Sequence, residues 1–145
     1  MENQGLKDKI LKVIQEYPIG SIATIKDGKP WVRYMAMQVE SDLTLYTAAF
    51  ASSRKISQIK TNNNVHVSFG AYNEDWNLPY INVVATAKIL TDLETKKKLW
   101  CDKLSQYFKG PEDPNYIVVK IAPSIIEYMN PGAHQPEVYT LSSLT

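Results

Sequence analysis

The sequence predicts a mainly β, α+β domain: a small antiparallel barrel with helices at its periphery. Three observations point there. About six or seven short segments of period-two or β-branched character are spread along the 145 residues. The helical segments fall between them without the regular strand–helix alternation of a doubly wound sheet. A barrel also removes the exposed strand edges that so many short strands would create, by closure or by pairing with a second copy.

In chain order, Leu6, Ile10, Val13, Ile14 and Tyr17 fall at helical spacing, with Lys7, Lys9 and Lys12 off that face. Pro18 and Gly20 end the helix. Gly20 to Lys26 and Lys29 to Gln38 flank Asp27-Gly28, a dipeptide suited to a tight hairpin because both residues tolerate positive φ. Glu40-Ser41-Asp42 is a second turn and leads into a strand over Leu43 to Ala48. Ser52 to Thr61 reads as a short helix with Ile56 and Ile59 inward, closed by Asn62-Asn63-Asn64. Val65 to Tyr72 and Tyr80 to Leu90 read as strands, joined by a polar loop that carries Trp76. A helix is predicted from an N-cap at Asp92, with Leu93, Trp100, Leu104 and Phe108 on one face and Gly110-Pro111 at its end. Tyr116 to Ala122 and Ile125 to Met129 are the last strands, and residues 131–145 read as a C-terminal tail of one domain spanning 1–145.

Composition narrows the function. Sixteen basic against fifteen acidic residues leave a net charge of +1, so no global field gathers nucleic acid or anionic membrane, and any anion site must be local. No stretch approaches the ~20 apolar residues needed to cross a bilayer. The polar N-terminus has no apolar core of signal-peptide type, and the single Cys101 has no partner within the chain for a disulfide; both lead us to expect a cytoplasmic protein. His66 and His134 lie far apart, so no metal site is expected. There is no Gly-rich dinucleotide turn, phosphate loop or nucleophile elbow.

The most informative motif is Ser52-Ser53-Arg54-Lys55 at the mouth of a short helix. A helix N-terminus carries unpaired N–H groups and a partial positive charge, which attract an anion and disfavour cations in the first turn. Two cations there, beside two hydroxyls, make electrostatic sense around a phosphate; the same residues also suit a serine N-cap followed by two solvated basic side chains. On Trp31 to Met37, alternation puts Arg33, Met35 and Met37 on one face and Val32, Tyr34 and Ala36 on the other. Such a strand offers a planar heterocycle apolar surface and backbone hydrogen bonds, or is simply a barrel strand with one solvated arginine. Trp100, Tyr107 and Phe108 form an aromatic cluster that suits a ring, a core or an interface.

The order of segments adds a further constraint. Pro30-Trp31-Val32-Arg33-Tyr34-Met35-Ala36-Met37 is followed by Leu45-Tyr46-Thr47, Ser53-Arg54-Lys55-Ile56, Asn62 to Phe69, Ala85-Thr86-Ala87, Leu99-Trp100 and Phe108-Lys109-Gly110-Pro111-Glu112-Asp113-Pro114. In this the chain resembles the pyridoxamine phosphate oxidase-like FMN-binding split-barrel proteins, most closely their bacterial general stress protein subgroup, from about Ile10 to Asn130. The resemblance implies a six-stranded split barrel that forms a homodimer with FMN at the subunit interface. It implies Arg54 and Lys55, with Ser52 or Ser53, as the phosphate-binding group. It implies Arg33, Tyr34, Met35 and Ala36 along the ribityl chain and ring, Tyr46 and Thr47 beside them, and Trp100, Tyr107 and Phe108 as contributions from a partner subunit.

Two departures matter. The chain lacks the C-terminal basic segment with which the true oxidases hold pyridoxal phosphate, so pyridoxamine phosphate oxidation is not expected. Met129 stands where close relatives often carry tryptophan. The resemblance therefore implies a flavin-dependent oxidoreductase fed by a nicotinamide or another small-molecule donor, with no catalytic acid or base identifiable. The alternatives are a non-catalytic flavin binder or stress sensor, or a split barrel that uses a deazaflavin, a haem or no ligand.

Overall fold

A computed structural model of the chain describes residues 3–71, 74 and 77–141. Helix α1 (Gln4–Glu16) is opened by Asn3, whose side chain accepts from the Leu6 N–H at 3.0 Å. Its apolar stripe, Leu6, Ile10, Val13 and Ile14, is buried as the spacing predicts. Strands β1 (Ile19–Lys26) and β2 (Lys29–Ala36) form the expected hairpin, with Asp27 and Gly28 both at positive φ (53° and 74°).

The strand order is β2-β1-β5-β6-β7-β4-β3, where β3 is Gln38–Val39, β4 Leu45–Phe50, β5 Asn64–Gly70, β6 Tyr80–Leu90 and β7 Tyr116–Met129. All pairings are antiparallel. Only Met37 separates β2 from β3. The first part of this run pairs with β1 and the last part with β4, so the sheet begins and ends on the same stretch of chain. That is how the barrel closes. Met37 marks the split: its N–H leaves the ladder and donates to the Pro18 carbonyl at 2.9 Å, while its side chain is buried.

The six longest strands supply the six-stranded split barrel anticipated from sequence, and the two-residue β3 and four-residue β8 (Glu137–Thr140) extend it. Ile22, Val67, Phe69, Ile81, Val83, Ile121 and Ile126 fill the interior with the α1 stripe. A smaller cluster of Leu99, Phe108, Tyr116 and Val118 lies outside it, with Tyr46 and Trp100 packed against it. Gly20 sits where β1 and β5 approach closely. A Cβ there would fall 2.7 Å from the Ser68 carbonyl oxygen and from the Phe69 ring.

Three expectations are corrected. Residues 116–129 form one continuous strand, because Pro123 pairs with Ala85 at a register shift between Val84 and Ala85, where a missing N–H is tolerated. The tail is partly a strand: β8 pairs with β7 and buries Tyr139. The helix that follows Asp92 is broken. Helix α3 stops at Leu99, Trp100 and Cys101 are extended, and a 3₁₀ turn follows over Asp102–Gln106. The break lets Trp100 reach the Tyr116 ring (5.5 Å between centroids) and exposes the Leu99 carbonyl, which accepts from Gln38 Nε2 at 3.1 Å. Tyr72 and Trp76, read from sequence as a strand end and a loop aromatic, lie outside the described residues.

Candidate functional site

Strand β4 runs directly into the candidate site. Its last residue, Phe50, is followed by the turn Ala51-Ser52-Ser53 and then helix α2 (Arg54–Thr61), with Ser53 as the N-cap in extended conformation. The helix buries Ile56 and Ile59, while Ser52 and Arg54 at its N-terminal end are exposed. The first turn has no acidic residue, so the unpaired N–H groups and both cations face no opposite charge from the helix itself.

The two serines differ. Ser52 is exposed, whereas the Ser53 hydroxyl is buried and, among the described residues, makes no hydrogen bond, not even the usual cap to its own helix. A buried hydroxyl without a partner is unfavourable.

Arg33 is brought to the same place from β2. Its Nη1 donates to Thr24 Oγ1 at 2.7 Å and to the Trp31 carbonyl at 3.0 Å, and its Nη2 donates to Gln58 Oε1 at 3.1 Å. Burial, and then the charge of Arg54, depress the Arg33 pKa; burial, and then the charge of Arg33, depress that of Lys55. Among the described residues the ion pairs are Lys9–Glu137 and Lys98–Glu40, so no carboxylate offsets this trio of cations.

Beside Lys55 opens a cleft of about 600 Å³, within the usual range for a small-molecule site. One wall is the end of β2, with Tyr34, Met35 and Ala36. The floor is β4, with Tyr46 and Thr47, and the other wall is formed by Leu99, Leu104, Tyr107 and Phe108. Thr47 ties floor to wall, since its hydroxyl donates to the Ala36 carbonyl at 2.8 Å. Burial raises the Tyr46 pKa, which keeps its hydroxyl protonated. Phe50 stacks on Phe108 (4.8 Å, tilted) and meets Tyr107 edge-on (6.2 Å).

Of the residues singled out from sequence, Tyr34, Met35, Ala36, Tyr46, Thr47, Lys55, Tyr107 and Phe108 therefore line one cleft. Arg33, Ser53 and Arg54 do not line it; Ser53 and Arg54 adjoin Lys55 in the chain, and Arg33 lies close enough for its charge to act on Lys55 and for that of Arg54 to act on it. Ser52 is turned to solvent, and Trp100 packs against Tyr116 without lining the cleft. Phe50, Leu104, Thr24 and Gln58 were missed. Phe50 had a readable signal, as an apolar strand end abutting the serine–arginine motif. Thr24 and Gln58 had none, because a buried polar pair is set by tertiary packing.

The geometry defines a class: a closed β-barrel with an apolar, aromatic-walled cleft that ends in a cationic anion cradle. Comparison with known proteins gives the family. The family model described as pyridoxamine 5'-phosphate oxidase matches residues 6–130, and the chain belongs to that family. It is 38% identical over 136 residues to general stress protein 26 of Bacillus subtilis, covering 94% of this chain and 96% of that protein. The crystal structure of general stress protein 26 from Bacillus anthracis superposes with a TM-score of 0.80 at 35% identity, covering 94% of this chain and 98% of that one. A Clostridium acetobutylicum protein related to general stress protein 26 has a TM-score of 0.81 at 19% identity, covering 96% of both chains, a likeness of fold. No helix among the described residues is long and apolar enough to cross a membrane.

Proposed function

We propose that this chain is an FMN-binding protein and acts as a flavin-dependent oxidoreductase of the general stress protein type, working as a homodimer. The observation that carries the reading is the buried, unpartnered Ser53 hydroxyl beside Arg33, Arg54 and Lys55, which no described carboxylate offsets. A phosphate dianion satisfies all of these groups together with the free N–H groups of α2. The adjoining cleft has the volume and the apolar, aromatic walls that a flavin ring requires.

Bound there, the isoalloxazine supplies the electron-transfer chemistry. The chain's own work is anchoring and exclusion of water. Arg33, Arg54, Lys55 and Ser53 hold the phosphate, and Met35, Ala36 and Tyr46 offer apolar and aromatic surface along the cleft. Thr47 has its proton engaged by Ala36, so toward a ligand it acts only as an acceptor. The wall of Tyr107 and Phe108 narrows access from solvent.

The double substitution Arg54→Ala with Lys55→Ala tests the phosphate assignment. It weakens FMN binding by about 100-fold or more, two charge-assisted contacts at ~1.5–3 kcal/mol each, while riboflavin binding is nearly unchanged. Equal losses for the two ligands overturn the assignment. Anaerobic bleaching of the bound flavin by a reduced nicotinamide supports the enzyme; flavin that binds but resists every reductant of that class supports a binder or sensor instead.

A further inference from the structure

Gln58 is buried on the inner side of α2, one turn below Arg54, a place where a helix facing a barrel ordinarily carries an apolar residue. A buried amide needs partners. Gln58 Oε1 finds two: the hydroxyl of the fully buried Thr24 donates to it, and so does Arg33 Nη2 at 3.1 Å. Thr24 in turn accepts from Arg33 Nη1 at 2.7 Å. Hydrogen-bond direction thus runs from Arg33 to Gln58, both directly and through Thr24, and joins β1, β2 and α2.

The nature of the acceptors matters more than their number. Arg33 also reaches the carbonyls of Trp31 (3.0 Å) and Ile22 (3.4 Å), so among the described residues each of its acceptors is an uncharged oxygen. A glutamate at 58 would offer a stronger acceptor but would cancel the guanidinium charge. An amide orients Arg33 and leaves that charge available.

We propose that Gln58, with Thr24, is a positioning residue that fixes Arg33 at the cationic end of the cleft through neutral hydrogen bonds, and so makes the site selective for a phosphorylated over an unphosphorylated ligand. The inference rests on the flavin phosphate reading above.

The test is the ratio of riboflavin to FMN dissociation constants, measured by flavin fluorescence for the intact chain and for Gln58→Met, Gln58→Glu and Arg54→Ala/Lys55→Ala. Gln58→Met lowers the preference for FMN by about tenfold, Gln58→Glu lowers it further, and riboflavin affinity stays within about twofold, as expected for loss of one oriented charge-assisted contact. A parallel loss for both ligands assigns Gln58 a merely structural role and overturns the proposal. If the intact chain prefers FMN, the double variant loses that preference and both Gln58 variants retain it, the positioning role falls and the phosphate reading stands. If the intact chain shows no preference, the phosphate reading falls first. Should the Gln58 variants fail to fold, Thr24→Ser and Thr24→Val decide: the serine variant keeps the preference and the valine variant loses it, and an unchanged preference in the valine variant overturns the proposal.

Discussion

At Ser53 the chain buries a hydroxyl that finds no partner among the described residues, and at Arg33, Arg54 and Lys55 it gathers charge that no described carboxylate balances. Stability and function pull in opposite directions at such a place. Ser53→Ala removes the unsatisfied group, so the ligand-free protein should hold its stability or gain up to ~1 kcal/mol, while FMN affinity falls. Thermal unfolding with and without FMN checks both halves; a destabilised apo protein with unchanged FMN affinity contradicts them. Much at this scale was legible in the sequence. Two cations in the first turn of a helix are an electrostatic anomaly that asks for an anion, and that anomaly is local in sequence. The preference for Ser53 over Ser52 was not legible, because it depends on which hydroxyl the turn after Phe50 buries. Nor were Thr24 and Gln58, which meet only when the barrel brings β1 under α2.

At the scale of elements, the patterns that succeeded were the periodic ones: the stripe of α1, the Asp27-Gly28 hairpin and strand β6. Those that failed involve a change of conformation inside an apparently continuous pattern. Helical spacing from Leu93 to Phe108 hid the break at Trp100, which brings that ring against Tyr116. The strand expected to end at Ala122 runs on instead, because Pro123 lies beside a bulge at Ser124 in its own strand, where its missing N–H is tolerated. Two predictions belong here. Gly20→Ala puts a methyl into the β1–β5 contact and should destabilise by ~1–3 kcal/mol, measured by urea unfolding; an unchanged midpoint contradicts the close approach. Asp113 accepts from the N–H groups of Lys109 (2.9 Å) and Asn115 (2.9 Å), and these bonds hold its carboxyl below the usual range. The folded-state pKa is depressed, so this contribution is present at neutral pH and is lost as pH falls through the lowered value. Asp113→Asn should therefore flatten the acid side of the stability curve around the loop that follows Phe108. An identical curve for the variant contradicts that role.

Across the whole molecule, one cross-strand row on the outer face of the sheet is apolar apart from His66. Val32 is 65% exposed and Tyr34 78%. From Val32 the cross-strand register runs through Ala23 and His66 to Val84 and Ile125, of which the last two are also exposed. This row supports the proposed homodimer, since a second copy would cover it. Val32→Glu should leave the fold within about 0.5 kcal/mol, as exposed substitutions do, yet shift the protein to monomer in sedimentation; a wild-type monomer contradicts the dimer. A small antiparallel barrel was legible in the run of short strands and its split form in the family resemblance, whereas its closure through one run interrupted at Met37 was not.

Titration of the purified protein with FMN and with riboflavin shows whether the cationic residues beside the cleft hold the phosphate of a flavin. A shift in flavin absorption on FMN binding and a preference for FMN over riboflavin of about 100-fold or more are expected, from the phosphate contacts at Arg54 and Lys55. No thermal shift with FMN, or equal affinity for the two flavins, would contradict that assignment.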